Sequence, residues 1–146
     1  MTMSEIPALL LRLGDTEAVE VRVHSRAWPG GLGKHDGNWL HAEFSVRAPA
    51  ATWRCSAFLR AQDFAGFATD LRALAAGTVA VASFDPGDPW LVVHVRRETP
   101  ARFAAEICVR DGGSERVVRS TWSLPDARLQ QVLAEVGAIT AAFPVL

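Results

Sequence analysis

Residues Thr52 to Gly77, TWRCSAFLRAQDFAGFATDLRALAAG, change from one periodicity to another within a single stretch. From Thr52 to Leu59 apolar and polar side chains alternate, which is the two-residue period of a β-strand with one buried face. From about Gln62 to Ala76 the apolar residues recur at steps of three and four, and Gly77 can adopt the left-handed conformation that ends a helix. The stretch therefore predicts a strand followed by a helix.

The chain before this stretch contains three more strand-like runs. They are Ala8 to Leu13, Ala18 to Ala27 and Trp39 to Ala48. In the second run valine occupies every other position from 19 to 23, and charged residues and a histidine alternate with the valines. Such strands have one apolar and one wet face, and the second to fourth strands are expected to form a meander.

Four further strand-like runs and a second helix follow the first helix. The strands are predicted at Val79 to Phe84, Trp90 to Arg97, Arg102 to Arg110 and Arg116 to Ser123, and the helix at Pro125 to Ala142. The order ββββαββββα lacks the strand–helix–strand alternation of parallel sheets. We predict an α+β fold for a single domain of residues 1–146, with an antiparallel sheet of seven or eight strands and two helices packed on one face. A partly closed barrel is the alternative.

The charge and hydropathy of the sequence indicate which classes of partner and which cellular location to expect. The 146 residues carry a formal net charge of −1, and the basic residues are interleaved with acidic ones, so nucleic acid is not an expected partner. The N-terminus lacks a basic leader, and no apolar run approaches the roughly 18 residues that span a bilayer. We expect a cytoplasmic protein that does not bind a membrane.

The residues that could carry enzyme chemistry do not form a known motif. The sequence contains no GxSxG, HExxH or P-loop pattern. The glycines of Trp28 to Asn38 (WPGGLGKHDGN) precede a strand, whereas phosphate-binding glycines precede a helix, so a long exposed loop is predicted. Cys55 and Cys108 each lie in a strand-like run, where a free thiol acts as a small apolar residue. We predict that the protein is not an enzyme and holds no cofactor.

Three histidines, His24, His41 and His94, occupy outward positions, which makes a metal site an alternative to consider. If the second and third strands are hairpin partners, one register gives the pairs Arg22–Glu43, His24–His41 and Arg26–Trp39. Solvent-facing imidazoles beside an ion pair are the favoured explanation, because exposed strand positions tolerate histidine freely, and no metal ligand is assigned. Glu43 and Glu106 also point outward, where cross-strand ion pairs are the commoner role.

The wet face of the predicted sheet carries the candidate binding residues. Trp and Arg are the residue types most enriched in interface hot spots. The candidates are Arg22, Arg26, Trp39, Phe58, His41 and Arg54. The loop of residues 28–38 is the alternative binding surface, and aromatic side chains that merely cover aliphatic neighbours are the structural alternative.

Asp36 to Leu40, DGNWL, opens a strand after the glycine-rich loop and resembles the D-x-N-W-L signature of WapI-type bacterial immunity proteins. The segment Phe58 to Leu74 resembles the strand-to-helix segment of that family. The resemblance implies a non-enzymatic protein that neutralises a cognate toxin by binding it, and a small-molecule or metal-binding domain is the alternative. It carries over no binding residues. Asp36, Asn38 and Trp39 are predicted to anchor the end of the loop, because Asx side chains tie loops to strands.

Overall fold

A computed structural model describes residues 9–14, 18–27, 37–48, 51–86, 91–110 and 117–146. The first ββββα unit comprises β1 (Leu9–Gly14), β2 (Ala18–Arg26), β3 (Trp39–Ala48), β4 (Ala51–Arg60) and α1 (Ala61–Ala76). The second comprises β5 (Val81–Phe84), β6 (Leu91–Thr99), β7 (Arg102–Arg110), β8 (Val117–Pro125) and α2 (Asp126–Ala142). Within these ranges, neither helix is long and apolar enough to cross a membrane.

The strands form two four-stranded antiparallel sheets, ordered β1-β2-β3-β4 and β5-β6-β7-β8. The α+β class, the element order and the antiparallel pairing confirm the prediction, whereas the single sheet becomes two. Consecutive strands are neighbours within each sheet, and α1 interrupts this series between β4 and β5. Among the described strands, neither sheet closes into a barrel.

Both sheets and both helices contribute to one apolar core. Phe84 of β5 connects the layers, because its ring lies 5.2 Å from the ring of Phe64 and 5.5 Å from that of Phe67, both on α1. Residues of both ββββα units lie in this core, including Val21, Val23, Phe44, Leu71, Val93, Ile107 and Val136. Leu133 is partly buried at its margin.

The ends of α1 are stabilised by charged side chains. At the start, the Asp63 carboxylate accepts a hydrogen bond from the backbone N–H of Arg60 at 2.9 Å. At the other end, Gly77 has φ of 81° and donates its N–H to the carbonyl of Leu74, as the sequence predicts. Arg97 of β6 donates to the same carbonyl at 3.1 Å, so the second sheet helps to cap the helix of the first unit.

A β-bulge between Val23 and Ser25 divides the pairing of β2 with β3. Before the bulge, Arg22 lies opposite Glu43, as predicted. After it, Ser25 lies opposite His41 and Arg26 opposite Leu40, so the predicted His24–His41 and Arg26–Trp39 partners are wrong. One extra residue reverses the alternation of side chains. Arg26 therefore shares the side of the sheet that carries buried Leu40.

Helix α2 covers the free edge of β1. The backbone N–H of Arg12 donates to Glu135 Oε1 at 3.1 Å, which satisfies a group that β2 does not pair. Burial raises the pKa of the Glu135 carboxyl. The hydrogen bond from Arg12 and the guanidinium groups of Arg128 and Arg12 act in the opposite direction but do not cancel the effect.

We expect Glu135→Gln to change the pH dependence of stability. An acid whose pKa is raised by folding contributes stability below its ordinary value of 4.5, and this contribution is lost as the pH rises through the folded pKa. Glutamine keeps an oxygen acceptor for Arg12 and has no proton to lose. In urea titrations, the free energy of unfolding of the variant minus that of the wild type should therefore grow between about pH 4 and pH 7.

Comparison of Glu135→Ala with Glu135→Gln separates the effect of the hydrogen-bond acceptor from the effect of the carboxylate charge. It lacks the oxygen that receives the Arg12 hydrogen bond, so it should be less stable than Glu135→Gln at every pH. Equal stabilities of these two variants would contradict the edge contact. A difference between Glu135→Gln and the wild type that does not change with pH would contradict the raised pKa.

Candidate functional site

Strands β2, β3 and β4 present one wet surface, which we call the outer face. Its side chains alternate with those that enter the core, and its exposure follows from that alternation. The members are Glu20, Arg22, His24, Trp39, His41, Glu43, Ser45, Arg47, Thr52, Arg54, Ser56 and Phe58. Three antiparallel strands hold them in fixed register, so the face is a rigid platform.

One end of the outer face is an arginine depression of about 440 Å³. It is lined by Glu20, Arg22, Ser45, Arg47, Thr52 and Arg54. Arg22 lies 3.3 Å from Glu20, and Arg54 lies 3.3 Å from Glu43 on the neighbouring strand. With Arg12, which lies 3.7 Å from Glu20, four guanidinium groups surround two carboxylates, which gives the cluster a net charge of 4 − 2 = +2.

The other end of the outer face carries an aromatic row of His24, His41 and Phe58. The ring of His41 lies 5.4 Å from that of His24 and 5.8 Å from that of Phe58. Phe58 is 52% exposed, although aromatic side chains usually lie within the core. The outer face thus combines an apolar end with a basic end.

The structure brings five of the six predicted binding residues to the outer face: Arg22, Trp39, His41, Arg54 and Phe58. Trp39 is half-buried at the start of β3, opposite Arg60. Arg26 is placed differently from the prediction. It donates to the carbonyls of Gly37 at 2.6 Å and Pro144 at 2.8 Å, and its guanidinium lies 5.9 Å from the centre of the Phe143 ring.

Arg26 belongs to a junction between the start of β3 and the C-terminal residues. Asn38 at this junction is 3% exposed. Its Oδ1 accepts a hydrogen bond from the N–H of Leu146 at 2.8 Å, and its carbonyl accepts one from Ala61 at 2.8 Å. A Cβ on Gly37 would come within 2.5 Å of the Leu146 side chain, so the junction fits glycine closely. Asn38 is thus an anchor, whereas Asp36 and residues 28–36 lie outside the described residues.

The three outward histidines do not meet. His24 and His41 lie in the first sheet, and His94 lies in the second. In the part of the chain that the structure describes, no three His, Cys, Asp or Glu side chains are grouped so that they could hold a metal ion. The cysteines are also divided between the sheets, and both thiols are free.

A hydrogen bond that the sequence did not reveal joins Ser83 Oγ to His94 Nδ1 at 2.8 Å. Glu106 lies opposite His94 on the next strand and contacts Arg96 at 3.8 Å. The register of β5, β6 and β7 could not be derived from the sequence, so this row was missed. A nucleophilic serine would need, besides a base, donors placed to stabilise an oxyanion. The hydrogen bond alone is a cross-strand contact and gives no ground for assigning catalysis.

A comparison with protein families identifies residues 10–144 as matching the model of the immunity protein WapI-like family. The chain belongs to this family. The predicted WapI-type family is therefore confirmed, and in this WapI-like chain Asn38 is buried and accepts a hydrogen bond from Leu146. No curated protein matches the sequence.

The fold of this WapI-like protein is similar to those of solved structures with little sequence identity. The Trypanosoma bruciei MRP1/MRP2 crystal structure matches with a TM-score of 0.53 and 12% identity, over 94% of this chain and 86% of that chain. A guide-RNA-binding protein complex bound to a gRNA matches with a TM-score of 0.52 and 11% identity, over 92% of this chain and 90% of that chain. At such identities the similarity concerns the fold alone.

Proposed function

We propose that the protein is a non-enzymatic immunity protein of the cytoplasm that neutralises a cognate toxin by binding it. The family match over residues 10–144 carries this proposal. The docking surface is the outer face, and the contact is made by the side chains of Arg22, His41, Arg54 and Phe58.

The physical character of the outer face supports this assignment. Phe58, which is 52% exposed, offers apolar area at one end of the outer face, and the guanidinium groups at the other end can donate several hydrogen bonds each. Phenylalanine binds a protein surface through burial of its ring, and arginine binds through directed hydrogen bonds. The rigid strands hold them in place, so little conformational entropy is lost on binding.

Nucleic acid is the second candidate partner, because a guide-RNA-binding complex shares the fold. Charge argues against it for this chain. Polynucleotide binding requires the neutralisation of several phosphates, whereas this chain has a net charge of −1 and its arginine depression contains the carboxylate of Glu20. A protein partner therefore fits the outer face better.

The proposal is tested by affinity capture from native lysate, with the captured protein identified by mass spectrometry and then purified. A stable complex with a toxin that loses its activity on binding would support the immunity role. Capture of no toxin, or a toxin that remains fully active in the complex, would overturn it.

Phe58→Ala should weaken the captured complex without unfolding the protein. An exposed phenylalanine contributes little to stability, whereas truncation of an aromatic hot spot costs about 2 kcal/mol or more of binding, or about 30-fold in Kd. Calorimetric titration with the purified toxin measures the change. Val81→Ala is the matched control, since Val81 is 44% exposed but lies on the second sheet. Equal losses for both variants would remove the outer face from the proposal.

A further inference from the structure

The carboxylate of Glu20 lies beside the guanidinium groups of Arg22 and Arg47, which it only partly satisfies. Arg22 donates a hydrogen bond to Glu20 at 3.3 Å. The distance from Glu20 to the nearest nitrogen of Arg47 is 3.6 Å, which is an ion pair but too long for a hydrogen bond. Arginine can donate two parallel hydrogen bonds to one carboxylate, and this geometry is not reached here. The cluster is therefore able to accept a further anion.

The basic side chains of the arginine depression are open to solvent, and their internal partner is not. The side chains of Arg22, Arg47 and Arg54 are 47%, 49% and 69% exposed, whereas that of Glu20 is 15% exposed. An approaching molecule thus meets donors first. The hydroxyl-bearing residues Ser45 and Thr52 line the same depression.

We propose that the partner inserts an acidic side chain, aspartate or glutamate, into the arginine depression, and that this carboxylate anchors the complex. The inference rests on the proposed function, because it specifies the chemistry of the partner at the same face. The arginine cluster has a net charge of +2, so it attracts the negatively charged carboxylate of the partner. This carboxylate would lie beside that of Glu20.

The arrangement favours an acidic protein side chain over a polynucleotide. Glu20 of β2 lies opposite Ser45, and Glu43 lies opposite Arg22, two residues from Ser45 on β3. A chain of consecutive phosphates would be brought against these carboxylates, and like charges repel. A single carboxylate can be bound by the arginines of the depression without approaching both glutamates. The positive charge of the depression is therefore complementary to one acidic side chain and not to a row of phosphates.

The test is a titration of the full 15N-labelled chain with a short oligo-glutamate peptide, followed by NMR of the arginine Nε–Hε resonances. Oligo-glutamine of equal length, inorganic phosphate and oligouridylate are the comparison probes. Oligo-glutamate should shift the resonances of Arg22, Arg47 and Arg54, and added salt should weaken the effect. Oligo-glutamine should shift none of them.

Two substitutions give opposite expected changes. Arg54→Glu should weaken oligo-glutamate binding by about tenfold. Glu20→Gln removes the internal competitor and should tighten it severalfold, which a merely structural role of Glu20 would not do. Arg72→Glu on α1 is the matched control, since Arg72 is exposed and lies outside the outer face, and it should leave the affinity unchanged.

The outcomes separate this inference from the proposed function. No shift with oligo-glutamate, equal effects of Arg54→Glu and Arg72→Glu, or weaker binding by Glu20→Gln would overturn the acidic anchor. Tighter binding of oligouridylate would replace it with a polynucleotide site, and binding of phosphate but not oligo-glutamate would replace it with a small-anion site. If a toxin is captured and Phe58→Ala weakens it while oligo-glutamate does not bind, the acidic anchor alone fails. If oligo-glutamate binds but no toxin is captured, the immunity role alone fails.

Discussion

Phe84→Ala should lower the free energy of unfolding by about 3–5 kcal/mol, the cost typical of deleting a buried aromatic ring. Phe84 is 1% exposed and contacts the rings of Phe64 and Phe67 across the boundary between the second sheet and α1. Its removal takes away apolar burial and leaves a cavity between the second sheet and α1. Urea unfolding followed by circular dichroism measures the loss.

Phe58→Ala is the matched control, because it deletes the same ring from an exposed position. Its expected effect on stability is within about 0.5 kcal/mol. If Phe84→Ala does not fold, Phe84→Leu retains part of the apolar volume and should unfold at a urea concentration below that of the wild type. Similar midpoints for Phe84→Leu and the wild type would contradict the shared core.

Asn38→Ala should cost about 1–3 kcal/mol, because it removes a buried side chain and leaves the N–H of Leu146 without its acceptor at a partly buried junction. This loss of unfolding free energy should exceed the loss caused by truncation of an exposed amide side chain. Gln130→Ala on α2 is the matched control, since Gln130 is exposed and its truncation should change stability by about 0.5 kcal/mol or less.

A double-mutant cycle isolates the hydrogen bond. Leu146→Pro removes the donor N–H, so Asn38→Ala should cost less in the Leu146→Pro background than in the wild type. Additive effects of the two substitutions would show that Asn38 stabilises the junction by other contacts. Asn38→Ala and Gln130→Ala with the same unfolding midpoint would remove its anchoring role altogether.

The sequence predicts the elements of this fold because periodicity is a local property. The switch at Thr52 to Gly77 lies where the structure changes from β4 to α1, and β3 and β7 have their predicted bounds. The division into two sheets is not local. The number of sheets depends on whether β5 pairs with a strand of the first unit. The same alternation of apolar and polar residues is compatible with one sheet and with two.

The candidate site shows a sharper limit. Alternation places Arg22 opposite Glu43 correctly, but the bulge after Val23 adds one residue and turns Arg26 to the other side. Polar His24 and Ser25 are compatible with either register, so the pattern carries no signal for the bulge. Likewise, nothing in the residues near Asn38 reveals that its partner is Leu146, because hydrogen bonds between distant segments leave no periodicity.

The junction at Asn38 determines when the newly synthesised chain can finish folding. Asn38 and Leu146 are separated by 108 positions, and Arg26 and Pro144 by 118. At translation rates of about 5–20 residues per second, the ribosome needs roughly 5–20 s to make the intervening chain. The hairpins of the first sheet can pair during that interval, since their contacts are short-range. Asn38 acquires this partner only after synthesis has passed residue 146, so the junction forms later than the strand pairs of the first sheet.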